Sequence, residues 1–288
     1  MKKKNWFALL LTAALSLSLL AGCGGSQPSD STDSGDNADA PAASESRLDK
    51  VLKAGKITNV CEPYFAPYEF IDNTKSGQEQ FRGADMELAR YIAKELGVEL
   101  EIVPLEWSAV LTGVGAGKYD MAVAGMAYTP ERAETMAMSK VYKPGGDQGL
   151  LVPADKVDEY TSLADFTGKR VGFQSGTVQE QNVLTQLPDS EPVTFDIIQN
   201  AVLALDSGKV DAVSVSVPNG EMFVSTTPKL AVSSVLFDNS MNGNVIGFPK
   251  GETELVDAVN KIIDQVLEQG LYDQWLEEAT AEAEKLGL

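Results

Sequence analysis

The fold is decided by three stretches: Lys56–Cys61 (KITNVC), Ala84–Leu96 (ADMELARYIAKEL) and Val98–Val103 (VELEIV). The first and third have the short apolar patterns of strands, and the third alternates with glutamate. The middle stretch places Leu88, Ile92 and Leu96 on one face of a helix. Gly97 follows, as glycine commonly does at a helix end. The order strand, helix, strand therefore predicts a parallel pair of strands joined by a helix.

The same alternation continues through the rest of the 288-residue chain. Further strands are predicted at Tyr119–Ala124, Lys169–Phe173 and Asp211–Val217, and further helices at Ser108–Ala116, Val178–Leu187, 255–267 and Leu271–Leu286. Repeated units of this kind predict an α/β fold with mostly parallel sheets covered by helices. A pattern of this length suggests two lobes.

Composition excludes several classes of function. The chain has 23 Lys and Arg, 42 Asp and Glu and no His, for a formal charge of −19. This acidity argues against nucleic-acid binding, which needs clustered positive charge. The missing histidine excludes His-based catalysis and His-ligated zinc. Cys23 and Cys61 are too few for a zinc cage or a disulfide scaffold. We expect no metal and no cofactor, and we expect Cys61, beside Glu62, to be a buried, unpaired thiol.

The first residues have the pattern of an export signal. Three lysines precede an apolar run from Trp6 to Ala21, which is short for a membrane span. The run ends in Leu20-Ala21-Gly22-Cys23, which resembles a bacterial lipobox. We expect a signal peptide over 1–22, then a lipidated Cys23 and a disordered tether over 23–46, which is rich in Gly, Ser, Ala, Pro and Asp. An uncleaved signal anchor is the alternative.

Two strand-to-helix junctions have features of an anion site. In Ala122–Arg132, Thr129 can cap a helix that begins at Pro130, which places Arg132 in its first turn. In Val171–Thr177 (VGFQSGT), a glycine-rich turn precedes a helix and offers free backbone N–H groups. Each junction alone also fits an ordinary surface turn. Together they predict a site for a carboxylate.

The order of short motifs along the chain resembles one protein family. The matching motifs are EPYFAPYEF (62–70), GADMELA (83–89), GKYD (117–120), AGM (124–126) through TPER (129–132), SLAD (162–165), GKRVG (168–172), GT (176–177), GKVDA (208–212), FPKG (248–251) and GLY (270–272). In this order they resemble the solute-binding proteins of bacterial amino-acid ABC importers, the polar-amino-acid family. The resemblance implies a periplasmic-binding-protein-like fold of two α/β lobes, each a mostly parallel sheet covered by helices, joined by two hinge strands. Lobe 1 would comprise 47–143 and 244–288, and lobe 2 would comprise 144–243.

The resemblance also implies a ligand site. Arg132 would bind the ligand α-carboxylate with backbone groups of Thr177 and Val178, and the Gly125 carbonyl would meet the ammonium. The other implied ligand contacts are Phe65 as a cover, Trp107 as a wall, Glu62 facing the ligand side chain, and Gln174 in the second junction. Phe65 and Trp107 could instead simply pack a core.

Two positions depart from the family pattern. Ala127 stands where the family usually has Ser or Thr, and Ser216 stands where it usually has the aspartate that pairs with the ammonium. Either Glu62 holds the ammonium, or the ligand is not a plain α-amino acid. Phe65 and Trp107 beside Glu62 would also suit a methylated ammonium.

The expected function is capture of a small amino acid or a related zwitterion or carboxylate. The protein would be a monomer, lipid-anchored on the outer side of the cytoplasmic membrane, that delivers its ligand to ABC permease subunits. A ligand sensor that docks on a membrane receptor is one alternative. A dehydratase-type enzyme on the same scaffold is another. Catalysis is disfavoured because Glu62 is the only ionisable side chain in the implied site besides Arg132.

Overall fold

A computed structural model describes residues 45–238 and 243–288. They belong to one compact unit, Ser44–Leu288. The predicted signal peptide, the lipidated Cys23 and the tether up to residue 44 lie outside the described residues. Within the described part of the chain, no helix is both long enough and apolar enough to cross a membrane.

The chain alternates strands and helices as the sequence predicts. The α-helices are α1 (Arg47–Ala54), α2 (Ala84–Leu96), α3 (Trp107–Gly115), α4 (Pro130–Thr135), α5 (Val178–Gln186), α6 (Ile198–Asp206), α7 (Val217–Thr226), α8 (Thr253–Glu268) and α9 (Leu271–Leu286). The strands are β1 (Lys56–Cys61), β2 (Tyr64–Phe65), β3 (Glu69–Ile71), β4 (Phe81–Arg82), β5 (Glu99–Pro104), β6 (Ala137–Met138), β7 (Gln148–Pro153), β8 (Arg170–Gln174), β9 (Glu191–Phe195), β10 (Ala212–Ser216), β11 (Leu230–Leu236) and β12 (Gly247–Phe248).

The part built from residues 47–138 and 247–288, here called the first half, is organised around the pair β1 and β5. These strands are parallel, as predicted, with Lys56 opposite Glu99 and Cys61 opposite Pro104. Helix α2 connects them and buries Leu88 and Ile92 in a core shared with α8 and α9. A small antiparallel sheet of β2, β3 and β4 lies between β1 and α2 in the chain.

The strand predicted at Tyr119–Ala124 forms only isolated bridges, Asn59 with Met121 and Ala122 with Gly247. Side-chain oxygens accept hydrogen bonds from backbone N–H groups that would pair with carbonyls in a longer β-ladder. Asp120 Oδ2 accepts from the Thr58 N–H at 2.8 Å, and Asn59 Oδ1 accepts from the Val123 N–H at 2.7 Å. Apolar residues predict burial of this segment correctly, but side-chain hydrogen bonds replace part of the ladder.

The part built from residues 148–236, here called the second half, contains a five-stranded sheet in the order β11-β7-β10-β8-β9. Strand β8 is parallel to β9 and β10, as predicted, whereas β7 is antiparallel to β10 and β11. Successive β7 residues enter different cores. Leu150 and Val152 pack beside α5, and Leu151 packs beside α6. Helices therefore cover both faces of the sheet.

The described residues between the two halves, here called the crossing segments, are 139–147, 237–238 and 243–246. The crossing segments pair at Lys143 and Asn244, where the Asn244 N–H donates to the Lys143 carbonyl at 2.8 Å. Gly243 has a φ of +99°, and a Cβ there would lie 2.3 Å from the Lys143 oxygen. Only glycine fits this close approach.

Candidate ligand-binding site

A cavity with about 680 Å³ of atom-free space lies between the two halves. All ten residues predicted to contact a ligand line it: Glu62, Phe65, Trp107, Gly125, Ala127, Arg132, Gln174, Thr177, Val178 and Ser216. The structure thus brings together residues that are up to 154 positions apart in the sequence.

Arg132 is placed by the local structure that its sequence predicts. Thr129 caps α4 by accepting from the Arg132 N–H at 3.2 Å, and Pro130 occupies the first helical position. The guanidinium donates from Nη1 to the Ala127 carbonyl at 2.7 Å and from Nη2 to the Gly176 carbonyl at 3.0 Å. Desolvation lowers the pKa of Arg132 to about 10, so it stays protonated at neutral pH.

The start of α5 faces the same cavity. Thr177 is the N-cap and accepts from the Glu180 N–H at 3.2 Å, and Val178 is the first helical residue. The first N–H groups of a helix have no partner within it and carry partial positive charge. Arg132 and this helix start together give one end of the cavity the character of a carboxylate site.

Glu62 is 5% exposed and joins the two halves. Its oxygens accept from Gln174 Nε2 at 2.9 and 2.8 Å, and Oε1 also accepts from the Trp107 N–H at 3.2 Å. Burial raises the pKa of Glu62, and the hydrogen bonds from Gln174 and Trp107 oppose that rise. Both oxygens of Glu62 therefore already accept hydrogen bonds from protein groups.

Aromatic rings form two walls. The Trp107 ring lies 5.1 Å from the Arg132 guanidinium carbon, and its Nε1 donates to the Gly176 carbonyl at 3.0 Å. The Phe65 ring stacks on Tyr68 at 5.1 Å. Gly125 has a φ of +55°, and a Cβ there would lie 2.9 Å from the Phe65 ring, so this position needs glycine for both conformation and space.

The two departures from the family pattern lie at the cavity wall. Ala127 is 4% exposed and gives its carbonyl to Arg132. Ser216 is 6% exposed, and its Oγ has no hydrogen-bond partner among the described residues. Position 127 therefore lacks a side-chain hydroxyl, and position 216 lacks a carboxylate.

Sequence reasoning missed Glu69, which lines the cavity and is only 1% exposed. Its Oε2 has no hydrogen-bond partner among the described residues. Burial and then the nearby Asp85 and Glu62 carboxylates raise the pKa of Glu69 well above its ordinary 4.5. A signal was present, because Glu69 is a lone charge in the apolar stretch from Phe65 to Ile71.

Other lining residues that sequence reasoning did not single out are Tyr68, Ala124, Gly146, Gln148, Gln179, Pro218 and Asn244. The Gln179 amide donates to Gln148 Oε1 at 2.6 Å. None of these seven positions except Tyr68 carries an ionisable side chain, so they mainly give the cavity its shape and neutral hydrogen-bonding groups.

Asp85 lies beside Glu69 and is also fully buried, but it is well paired. Its Oδ2 accepts from the Gly125 N–H at 2.5 Å and the Tyr142 hydroxyl at 2.8 Å, and its Oδ1 accepts from the Tyr272 hydroxyl at 2.5 Å. Burial raises the pKa of Asp85, and these hydrogen bonds oppose the rise. Asp85 therefore positions the Gly125 backbone at the cavity wall.

Comparison with known proteins identifies the family. The model of the bacterial extracellular solute-binding proteins, family 3, matches residues 57–279. The chain belongs to this family. Its relatives include ABC transporter arginine-binding protein 1 of Escherichia coli, 26% identical over 229 residues that cover 77% of this chain and 91% of the relative. The arginine-binding extracellular protein ArtP of Bacillus subtilis is 28% identical over 271 residues, covering 93% and 94%.

A solved structure of similar fold is the amino acid ABC transporter substrate-binding protein AbpA from Streptococcus pneumoniae, bound to L-arginine. It is 34% identical, with a TM-score of 0.77, and the match covers 82% of this chain and 98% of that protein. The two-lobe α/β fold predicted from the sequence is therefore confirmed. This solute-binding protein is an amino-acid-binding member of an ABC transporter family whose proteins act outside the cytoplasm.

Proposed function

We propose that this solute-binding protein captures a cationic L-amino acid, with L-arginine as the first candidate. Arg132 binds the α-carboxylate, assisted by the N–H groups at Thr177 and Val178. The observation that carries this assignment is the protonated Arg132 guanidinium at the cavity wall beside the start of α5. A guanidinium and free helix N–H groups are the usual partners of a carboxylate in proteins.

The charge of the cavity supports a cationic ligand. Its lining includes one cation, Arg132, and two carboxyl groups, Glu62 and Glu69. With both carboxylates ionised, the cavity has a net charge of −1, which an amino acid with a positive side chain would neutralise. The relatives named for arginine agree with this choice.

We propose that lobe 1 comprises 47–143 and 244–288, that lobe 2 comprises 144–243, and that they close on the ligand. Side chains already bridge the proposed lobes: Trp107 and Arg132 both donate to the Gly176 carbonyl, and Asn219 Nδ2 donates to the Ala66 carbonyl at 3.0 Å. A ligand that contacts both lobes would stabilise this arrangement by its differential affinity.

The transport role extends this proposal. After cleavage before Cys23, the lipidated cysteine would anchor a monomer to the outer face of the cytoplasmic membrane. The residues up to 46 would form a tether, and the loaded protein would deliver its ligand to ABC permease subunits. Binding occurs without turnover in this proposal, as the names of the relatives as binding proteins suggest.

The test of binding is a calorimetric screen of residues 44–288, a compact unit, against the common amino acids. We expect L-arginine or another cationic amino acid to bind and Arg132→Ala to abolish that binding. Binding of neutral amino acids alone would contradict the ligand class. Retained affinity in Arg132→Ala would contradict the carboxylate site.

The test of anchoring and delivery uses cells. We expect wild-type protein to incorporate labelled fatty acid and Cys23→Ala to be released from the membrane. Uptake of labelled arginine should fall when the gene for this chain is deleted. It should return with the wild-type chain but not with Arg132→Ala. Unchanged uptake after deletion would contradict the transport role and leave sensing as the alternative.

A further inference from the structure

Resting on the proposed function, we infer that Glu69 is the carboxylate that binds a cationic nitrogen of the ligand, in place of the aspartate that the family usually has at position 216. This assigns a ligand-binding role to a residue outside the expected set. The partner of the cation would then lie in the first half, whereas position 216 lies in the second half.

The choice between the two lining carboxylates follows from their hydrogen bonds. Glu62 already accepts from the side chain of Gln174 and the N–H of Trp107. Glu69 is 1% exposed, and its Oε2 has no hydrogen-bond partner among the described residues. A buried carboxylate without a partner is costly unless something satisfies it. A cation in the cavity would do so.

The position of Glu69 places this oxygen close to the cavity. Oε2 lies 3.8 Å from the point that a Cβ on Gly125 would occupy, on the side of Gly125 that faces Phe65. Glu69, Gly125 and Phe65 all line the cavity. The oxygen therefore lies at the cavity wall beside an aromatic ring, and a cation there would meet both the carboxylate and the ring.

The surroundings of Glu69 also favour a cation. The titratable groups that face it are Asp85 from α2, Tyr142 from the crossing segment, the neighbouring Tyr68, and Cys61 and Glu62 at the end of β1. None of these groups carries a positive charge. Burial and these carboxylates raise the pKa of Glu69, so binding a cation should release a proton from it.

The experiment compares Glu69→Gln with the wild-type protein for three probes. These are L-arginine, L-citrulline, which keeps the α-ammonium but has a neutral side chain, and the desamino analogue of arginine, which keeps the guanidinium but has no α-ammonium. We expect Glu69→Gln to weaken arginine binding about 10- to 100-fold. Glu95→Gln, which removes an exposed carboxylate from α2, is the matched control and should leave the affinity unchanged.

The probes identify the nitrogen that Glu69 binds. A loss shared by arginine and citrulline assigns the α-ammonium. A loss shared by arginine and its desamino analogue assigns the guanidinium. Equal affinity of wild type and Glu69→Gln for all probes that bind overturns the inference while the proposed function stands. If the wild type binds none of them, both the proposed cationic ligand and the role of Glu69 are wrong.

Proton release provides a readout that a purely structural role would not change. Calorimetric titration of the wild type with arginine, at about pH 6 in two buffers of different ionisation enthalpy, should show protons released on binding. Glu69→Gln should abolish that release, and Glu95→Gln should retain it. Release that persists in Glu69→Gln would assign the proton to another group and overturn the inference.

Discussion

The first and second halves line the cavity with different kinds of side chain. Every lining residue that carries a formal charge comes from the first half: Glu62, Glu69 and Arg132. The second half contributes amides, hydroxyls, apolar side chains and a helix start, through residues such as Gln148, Gln174 and Ser216. In the proposed function, the first half would supply the charged groups that select the ligand, and the second half would supply neutral hydrogen-bonding groups.

The largest expected effect comes from removing the positive charge that the first half contributes to the cavity. Arg132→Ala should weaken arginine binding about 100- to 1,000-fold, because it removes a charged donor from a desolvated site and takes the guanidinium away from the Ala127 carbonyl. Calorimetric titration measures this change. Lys118→Ala removes an exposed positive charge and is the control for long-range electrostatics. A loss below about 10-fold would show that the carboxylate binds elsewhere.

The next largest effects are changes in the free energy of unfolding of the ligand-free protein, caused by neutralising Asp85 or Glu69. Asp85→Asn should lower the free energy of unfolding by about 3 kcal/mol, because it disrupts three hydrogen bonds to a charged acceptor. Glu69→Gln should raise it by about 1–3 kcal/mol at pH 8, because it removes a carboxylate without a partner. Urea denaturation measures both values.

The change in the free energy of unfolding caused by Glu69→Gln should depend on pH. The pKa of Glu69 is raised in the folded protein, so its stabilising contribution is complete below its ordinary pKa of 4.5 and is lost as the pH rises through the raised value. The gain from Glu69→Gln should therefore be large at alkaline pH and shrink on acidification. A gain that is constant with pH would contradict a buried, titrating Glu69.

A smaller effect is expected from breaking the hydrogen bonds between Gln174 of the second half and Glu62 of the first. Gln174→Ala should weaken ligand binding about 10-fold, since the buried Glu62 loses two hydrogen bonds across the cleft. A double-mutant cycle with Glu62→Gln should show that the two changes are not additive. Additive losses would mean that Glu62 and Gln174 act separately on the ligand.

The smallest change in ligand affinity is expected for a substitution in the second half, which contributes uncharged side chains to the cavity. Ser216→Ala should change affinity by less than about threefold, because the Ser216 hydroxyl has no partner among the described residues and the cation is assigned to Glu69. Val215→Ala, at the neighbouring buried position, is a packing control. A loss above about 10-fold in Ser216→Ala alone would place a charged part of the ligand at the second half.

The sequence by itself determined the order of elements and the composition of most of the site. Periodicity identified β1, α2 and α9 with their observed bounds, and the Thr129 cap and the Pro130 start of α4 are confirmed. Cys61 is buried and unpaired, as predicted. All ten predicted contact residues line one cavity, and their contact with a ligand remains a prediction. Local patterns suffice for the elements because caps, turns and apolar faces depend on near neighbours in the chain, whereas most of the contact residues follow from the resemblance to the family.

Only the tertiary structure decided which polar groups are satisfied. Asp85 is paired with Tyr142 and Tyr272, which are 57 and 187 residues away in the chain, whereas Glu69 beside it is left without such partners. The antiparallel position of β7 and the broken strand at Tyr119–Ala124 were likewise set by distant segments. The physical reason is that hydrogen bonds and burial depend on the three-dimensional neighbours of a group. A sequence pattern shows that Glu69 is an acidic residue in an apolar stretch, but only the fold shows that its Oε2 has no hydrogen-bond partner among the described residues, at the wall of the candidate cavity.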